Sequence, residues 1–382
     1  MRFDAARALH VAEQLWFDRL PWRAGSRRAA DLVAAAFSES GYTVERVEVS
    51  GSPSLRNRRI ALAWLGFGAG VGVNLVLLAT DRAFLSRALA LFAAILWWFT
   101  VSEFIDNIEW LAGELVRTSN VMGTRPGGFN APVRVVFLST LDVPPPMPRS
   151  LIRQRATSLL SAAFVALIGL NLVPWRFPRG FYVAFLVSFG AILLVFLVAR
   201  VRPFPGDFGD DNRDGLGLLV ELARTWPSDT DPLIDPWFVA AGGQLLDGEG
   251  LKDLARRLSE PTISKPTLVI GLWSLGRSTT ISVVAPLPDV NDLALDAAQS
   301  LWVPYRDAMA MTVLNDVSPF GDDPAFVGLF GVPAGRSLPE VDPDALQRAA
   351  QLATEIALRW ARRHPVTQGP GESLDRSSQN PG

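Results

Sequence analysis

A chain of 382 residues with a formal net charge of -2 is long enough for two average domains, or for one domain carrying large insertions. It has no basic stripe to neutralise phosphates, so nucleic acid is not an expected partner. Cysteine is absent and the only histidines are His10 and His364, which excludes disulfides, thiolate ligands, a cysteine nucleophile and a Ser-His-Asp triad in the core.

In chain order, Arg2 to Leu20 and Ser26 to Ser40 have helical periodicity, Gly41 supplies a C-cap, and YTVERVEV alternates like a strand. The 49% hydrophobic content is then explained by four apolar stretches. Ile60 to Thr80 carries no charge and, as a helix, would reach about 31 Å, enough for a bilayer core. Ala88 to Phe104, with Trp97 and Trp98 near one end, follows after the short DRAFLSR. Ser158 to Val173 and Phe181 to Ala199, joined by PWRFPRG, form a second pair. Gly66, Gly68, Gly70 and Gly72 give overlapping GxxxG spacings that permit close helix contact.

Between and after these pairs, PVRVVFLSTL reads as a strand buried on both faces, Leu216 to Arg224 as a helix and PWFVAAGG as a strand. Gly250 to Leu258 is helical, TLVIGLWSL and TTISVVAP are strands, and helices follow at Val290 to Leu301 and from Asp342-Pro343, in N-cap and N1 positions, up to Arg363. Strands alternating with helices imply an α/β sandwich with a mixed, mostly parallel sheet. The expected organisation is one unit assembled from 1–57, 108–148 and 203–364, interrupted by transmembrane hairpins at 58–107 and 149–202 and followed by a disordered tail at 365–382.

No cleavable signal peptide is read in the first 30 residues. Arginines flank the four expected spans nine to four in favour of the side bearing the soluble segments, so the expectation is an integral membrane protein with that domain and both termini in the cytoplasm. The lipid bilayer is then a partner.

Chemistry in an open α/β sheet collects at the carboxyl ends of strands. The segments read there are STLD at 139–142, GDDN at 209–212, GGQLLDGEG at 242–250, LWSLG at 272–276 and GDDPAF at 321–326. Together with RAGSRRAADLVAAAFSESGYTVERVEV, SNVMGTRPG, GDDNRDGLGLLVELAR, FVAAGGQLLDGEG and DDPAFVGLFGVPAG, their order resembles the co-catalytic di-zinc aminopeptidases, the family that also holds glutamate carboxypeptidases, glutaminyl cyclases and the catalytically silent transferrin receptor. The resemblance implies a three-layer αβα sandwich of that type, interrupted by the two hairpins.

Carried over residue by residue, the same resemblance implies a degenerate site. The family's first zinc-binding His falls on Thr140, with its orienting Asp kept as Asp142. The bridging Asp is kept as Asp211, followed by Asn212. The general-base Glu falls on Gln244, its zinc-binding neighbour on Leu245, a further ligand Asp on Trp273 and the final His on Asp323. Gln244 has no basicity near neutral pH, Leu245 has no lone pair, and Trp273 would fill the space of a metal. Peptide hydrolysis by the di-zinc mechanism is therefore not expected, and neither zinc nor another cofactor is.

Other readings of the same residues remain. Asp211 and Asn212 could cap the helix that follows, or keep a ligand-binding role. Asp142 could be a relic that hydrogen-bonds a loop, and Asp322 and Asp323 a solvated turn. Asp142, Asp211 and Asp323 with the Gln244 amide oxygen would alternatively form an all-oxygen set suited to Mg²⁺ or Ca²⁺ and to an atypical hydrolase. The expected role is binding or scaffolding, with a membrane protein, a peptide or a lipid as ligand. A transport subunit is disfavoured because the spans hold no mid-span charge apart from Glu103 near an end.

Overall fold

The computed structural model describes residues 3–17, 19, 24–51, 65–66, 68–77, 80, 85, 115–125, 131–142, 162, 178–201, 212–226, 233–244, 246, 248–260, 265–277, 280–307, 320, 324–331 and 341–364. Among them, strands β1 (Thr43–Gly51), β2 (Val116–Thr124), β3 (Val133–Thr140), β4 (Ile234–Ala241), β5 (Thr267–Trp273), β6 (Ile281–Val284), β7 (Tyr305–Asp307) and β8 (Ala325–Gly331) form one sheet. Their spatial order is β1-β2-β4-β3-β5-β8-β6-β7.

The centre of the sheet is parallel, with Phe137 of β3 opposite Phe238 of β4 on one side and Ile270 of β5 on the other. β8 continues the parallel set beside β5, while β1, β2 and β6 join it antiparallel. All eight residues of β3 are buried, which explains why its sequence is an unbroken apolar run: neither face meets water.

One face is covered by α1 (Ala5–Gln14), α2 (Ala24–Glu39), α4 (Arg213–Thr225), α6 (Pro288–Ser300) and α7 (Pro343–Arg363). They contribute Phe37, Leu219, Leu293, Leu346 and Ile356 to the larger core. α5 (Glu249–Leu258) covers the other face with Leu251, Leu254 and Leu258 packed on Val136, Leu138 and Val239. The result is the three-layer mixed α/β architecture that the sequence pattern implies.

Local signals are realised where they are strongest. Gly41 adopts φ +83° after α2, and Asp342 caps α7 by accepting from the Asp344 N–H at 2.9 Å, with Pro343 in the first turn. Two strands escaped the sequence reading. β7 has only three residues, and β8 begins at Ala325, within the segment GDDPAF that the sequence reading placed at a carboxyl end.

The hairpin regions require a correction. No helix among the described residues is long and apolar enough to cross a membrane, and this overturns the expected four-span, cytoplasm-facing placement in the cell membrane. The apolar stretches 88–104 and 158–173 lie outside the described residues, apart from 162. Helix α3 (Arg179–Val201) has side chains described at 180–194, and the helical segment 68–77 lies against it. A Cβ on Gly68 would come within 2.3 Å of Leu193 Cδ2, and one on Gly72 within 3.7 Å of Leu186 Cδ1. The glycine spacing therefore serves a helix–helix contact between the two expected hairpins. Close packing of an apolar helix needs only another apolar helix, so lack of charge did not discriminate a bilayer from a neighbour.

Candidate functional site

At the carboxyl end of β3 the chain places Ser139, Thr140 and the fully buried Asp142. Helix α4 starts beside them. Its N-cap residue, Asn212, has φ 47° and makes no side-chain cap bond, so the capping reading fails for Asn212. The side chain crosses the sheet edge instead. Its Nδ2 donates to Ser139 Oγ at 3.0 Å and to Thr140 Oγ1 at 2.9 Å, while its Oδ1 accepts from the Ser274 N–H at 2.9 Å. Ser139 Oγ in turn donates to the Leu272 carbonyl at 3.1 Å. The left-handed conformation, which asparagine tolerates better than most residues, aims the amide away from its own helix.

This knot ties the ends of β3 and β5 to the start of α4, and the backbone closes around it. A Cβ on Gly215 would lie 2.3 Å from Asn212 Oδ1 and 2.6 Å from the Leu272 carbonyl, so only glycine fits there. Asp214, buried in the first turn of α4, accepts from the Gly276 N–H at 2.8 Å and from the Gly215 N–H at 3.0 Å, fixing the turn Leu275–Arg277 that follows β5. Sequence reasoning passed over Ser139, Asp214 and Ser274. The only signal for them was their adjacency to residues already singled out.

The loop after β4 forms the neighbouring wall. Asn120 of β2 clamps it: Oδ1 accepts from the Gly242 N–H at 3.0 Å and Nδ2 donates to the Gly250 carbonyl at 2.9 Å. Gly243 takes φ +77°, and half-buried Gln244 follows with an Oε1 shielded from solvent that has no hydrogen-bond partner among the described residues.

Trp273 is the last residue of β5. Its ring lies over Gly271, where a Cβ would meet it at 1.9 Å, and stacks on Phe330 with centroids 4.7 Å apart and planes 8° from parallel. Phe326 sits 6.1 Å away and stacks on Phe320 in turn. Trp273 thus belongs to an aromatic layer on the α5 face of β5 and β8, which accounts for its presence without reference to a metal. Asp211, Leu245 and Asp323 lie outside the described residues.

Three described positions that the resemblance matches to ligands or the base offer no charged donor, while Asp142 is a buried carboxylate. Thr140 offers a hydroxyl already engaged by Asn212, Gln244 a neutral amide, and Trp273 an indole committed to stacking. Among the described residues no three His, Cys, Asp or Glu side chains gather to hold a cation.

No family model matches the sequence, and no curated protein does. Solved structures do match in shape. Glutaminyl cyclase of Porphyromonas gingivalis is 12% identical with a TM-score of 0.53, over 95% of this chain and 99% of that one. A Zn-dependent exopeptidase of Parabacteroides distasonis is 13% identical at 0.51, over 94% and 99%. The LapA aminopeptidase of Legionella pneumophila is 10% identical at 0.52, over 94% and 72%. The mixed sheet and its covering helices are therefore those of the zinc aminopeptidases and glutaminyl cyclases, and this chain has their fold.

Proposed function

We propose that this protein is a binding module built on a zinc-aminopeptidase fold that has given up the metal and the general base, and that its ligand is a peptide held without cleavage. One observation carries the reading: the Asn212 amide holds the Thr140 hydroxyl, at the position the resemblance assigns to a zinc-binding histidine, within a closed set of neutral hydrogen bonds. Such a set stabilises the sheet edge and has no basicity with which to activate water. Gln244 supports it, because an amide presents a donor and an acceptor to a peptide bond but takes up no proton near neutral pH.

Two measurements on the purified full chain test this. Metal content by mass spectrometry and turnover of leucyl 4-nitroanilide and of an N-terminal glutaminyl peptide should both be at background. Saturation-transfer NMR with Leu-Gly-Gly should show transfer without cleavage, reduced in Gln244→Arg. Bound zinc near one ion per chain, together with turnover abolished in Asp142→Ala and Gln244→Ala, would overturn the proposal and favour a hydrolase.

A further inference from the structure

The amino ends of the central strands carry a charged cluster far from the Asn212 knot. Arg134, the second residue of β3, donates from Nε to Asp235 Oδ2 of β4 at 3.2 Å, and Lys265 Nζ lies 3.8 Å from the same oxygen. Backbone bonds fix the segment that carries the lysine: the Arg134 N–H donates to the Pro266 carbonyl at 3.0 Å, and Thr267 Oγ1 donates to the Lys265 carbonyl at 2.9 Å. Two cations thus share one carboxylate. The guanidinium and the carboxylate are almost fully buried, with side-chain exposures of 2% and 4%, and the Trp237 ring closes one side of the guanidinium at 4.1 Å.

The cluster is short of an acceptor. Arg134 Nη1 is shielded from solvent and has no hydrogen-bond partner among the described residues, which is costly for a buried charged donor. Lys265 is the member that solvent reaches, at 19%. Burial holds Lys265 below the ordinary lysine value and Asp235 above the ordinary carboxylate value, so the amine gives up a proton, and the carboxylate takes one, more readily than usual. A lysine withdrawn from water beside a second cation is an activated nucleophile.

We infer that Lys265 is a site of reversible modification by carbon dioxide, its Nζ carrying a carbamate whose oxygens supply the acceptor that Arg134 Nη1 lacks. The amine lone pair forms an N–C bond to carbon dioxide while one C=O electron pair moves onto oxygen. Of the two protons that the ammonium gives up, Asp235 takes one and water the other. The cluster passes from two cations and one anion to one cation, one anion and a neutral acid, so its charges balance. Carbon dioxide suits the place because it is small and uncharged, and enters without the desolvation that a free anion would incur.

The chain has only two lysines, Lys252 and Lys265, which makes assignment direct. In carbon-13-labelled bicarbonate the full chain should give a carbamate resonance that survives in Lys252→Arg and is lost in Lys265→Arg. Trapping with triethyloxonium and peptide mass mapping should place the ethyl carbamate on Lys265. Occupancy should fall about 10-fold or more in Arg134→Gln, which removes the charged donor. A second readout does not depend on that variant folding: bicarbonate should raise the melting temperature of the parent above its value in chloride at equal pH and ionic strength, and leave Lys265→Arg unmoved. Absence of a carbamate on Lys265, undiminished occupancy in Arg134→Gln, or an equal melting shift in Lys265→Arg would each overturn the inference.

Discussion

At the amino ends of the central strands the chain buries an ion pair between β3 and β4; at the carboxyl ends, one strand length away, it joins β3 and β5 through an amide, two hydroxyls and backbone groups. Arg134 at the start of β3 donates from Nε to Asp235 Oδ2 of β4 at 3.2 Å, with Lys265 Nζ 3.8 Å from the same oxygen and the guanidinium 4.1 Å above the Trp237 ring. Burial dominates this cluster. It pushes Asp235 up from its ordinary value and Arg134 and Lys265 down, against the mutual attraction that opposes each shift. The Asn212 knot carries no such penalty, because each of its groups is neutral and finds a partner of matching polarity. The contrast is one of charge: the amino ends are joined by a buried ion pair, the carboxyl ends by neutral hydrogen bonds around Asn212, with Asp142 and Asp214 buried beside them.

Several substitutions would break or sharpen that contrast. The largest loss is expected at the carboxyl end from Gly250→Ala, whose Cβ would lie 1.7 Å from the Gly242 carbonyl oxygen and 2.7 Å from Asn120 Oδ1. Chemical denaturation should show a cost of about 3 kcal/mol or more, with the Asn120 clamp disrupted. Asn212→Ala should cost about 2–3 kcal/mol, from hydrogen-bond partners left without their amide and from left-handed strain. Asn212→Gly should recover about 1 kcal/mol of that, and equal losses in the two variants would show that the backbone is unstrained.

At the amino end the sign reverses. Exchanging the ion pair for Arg134→Met/Asp235→Leu is expected to leave stability unchanged or raise it by about 1 kcal/mol. A loss comparable to that of Asn212→Ala would end the contrast.

The smallest effect is a pH slope. A carboxyl whose folded value is raised binds its proton more readily when folded, so Asp235 contributes fully below its ordinary value of 3.8 and loses that contribution as pH rises through the folded value. Relative to Asp235→Asn, the parent should therefore lose stability in urea titrations as pH rises from the ordinary Asp235 value of 3.8 through its raised folded value. A parent curve that gains stability over this range would mean that attraction outweighs burial.

Much of this architecture was legible along the chain, and particular residues show why. PVRVVFLSTL is apolar without interruption because β3 is covered on both sides, and Asp342-Pro343 starts α7 because capping involves residues two positions apart. The short strand β7 and the entry into β8 were missed because their neighbours on the sheet, not their own patterns, make them strands. The described apolar segments 68–77 and 180–194 misled in the opposite direction, since a helix packed on a helix and a helix in lipid share one composition.

By itself, then, the sequence determined most of the elements and their alternation: periodicity, caps and side-chain type act between near neighbours or belong to single residues. Only the tertiary structure decided that Asn212 abandons its helix for partners 62, 72 and 73 residues away, and that Trp273 stacks on Phe330. It also decided that Trp302 closes a helix with its ring in water. Those outcomes depend on strand order and on which backbone groups are left without partners at the sheet edge, quantities that exist only once the layers have packed.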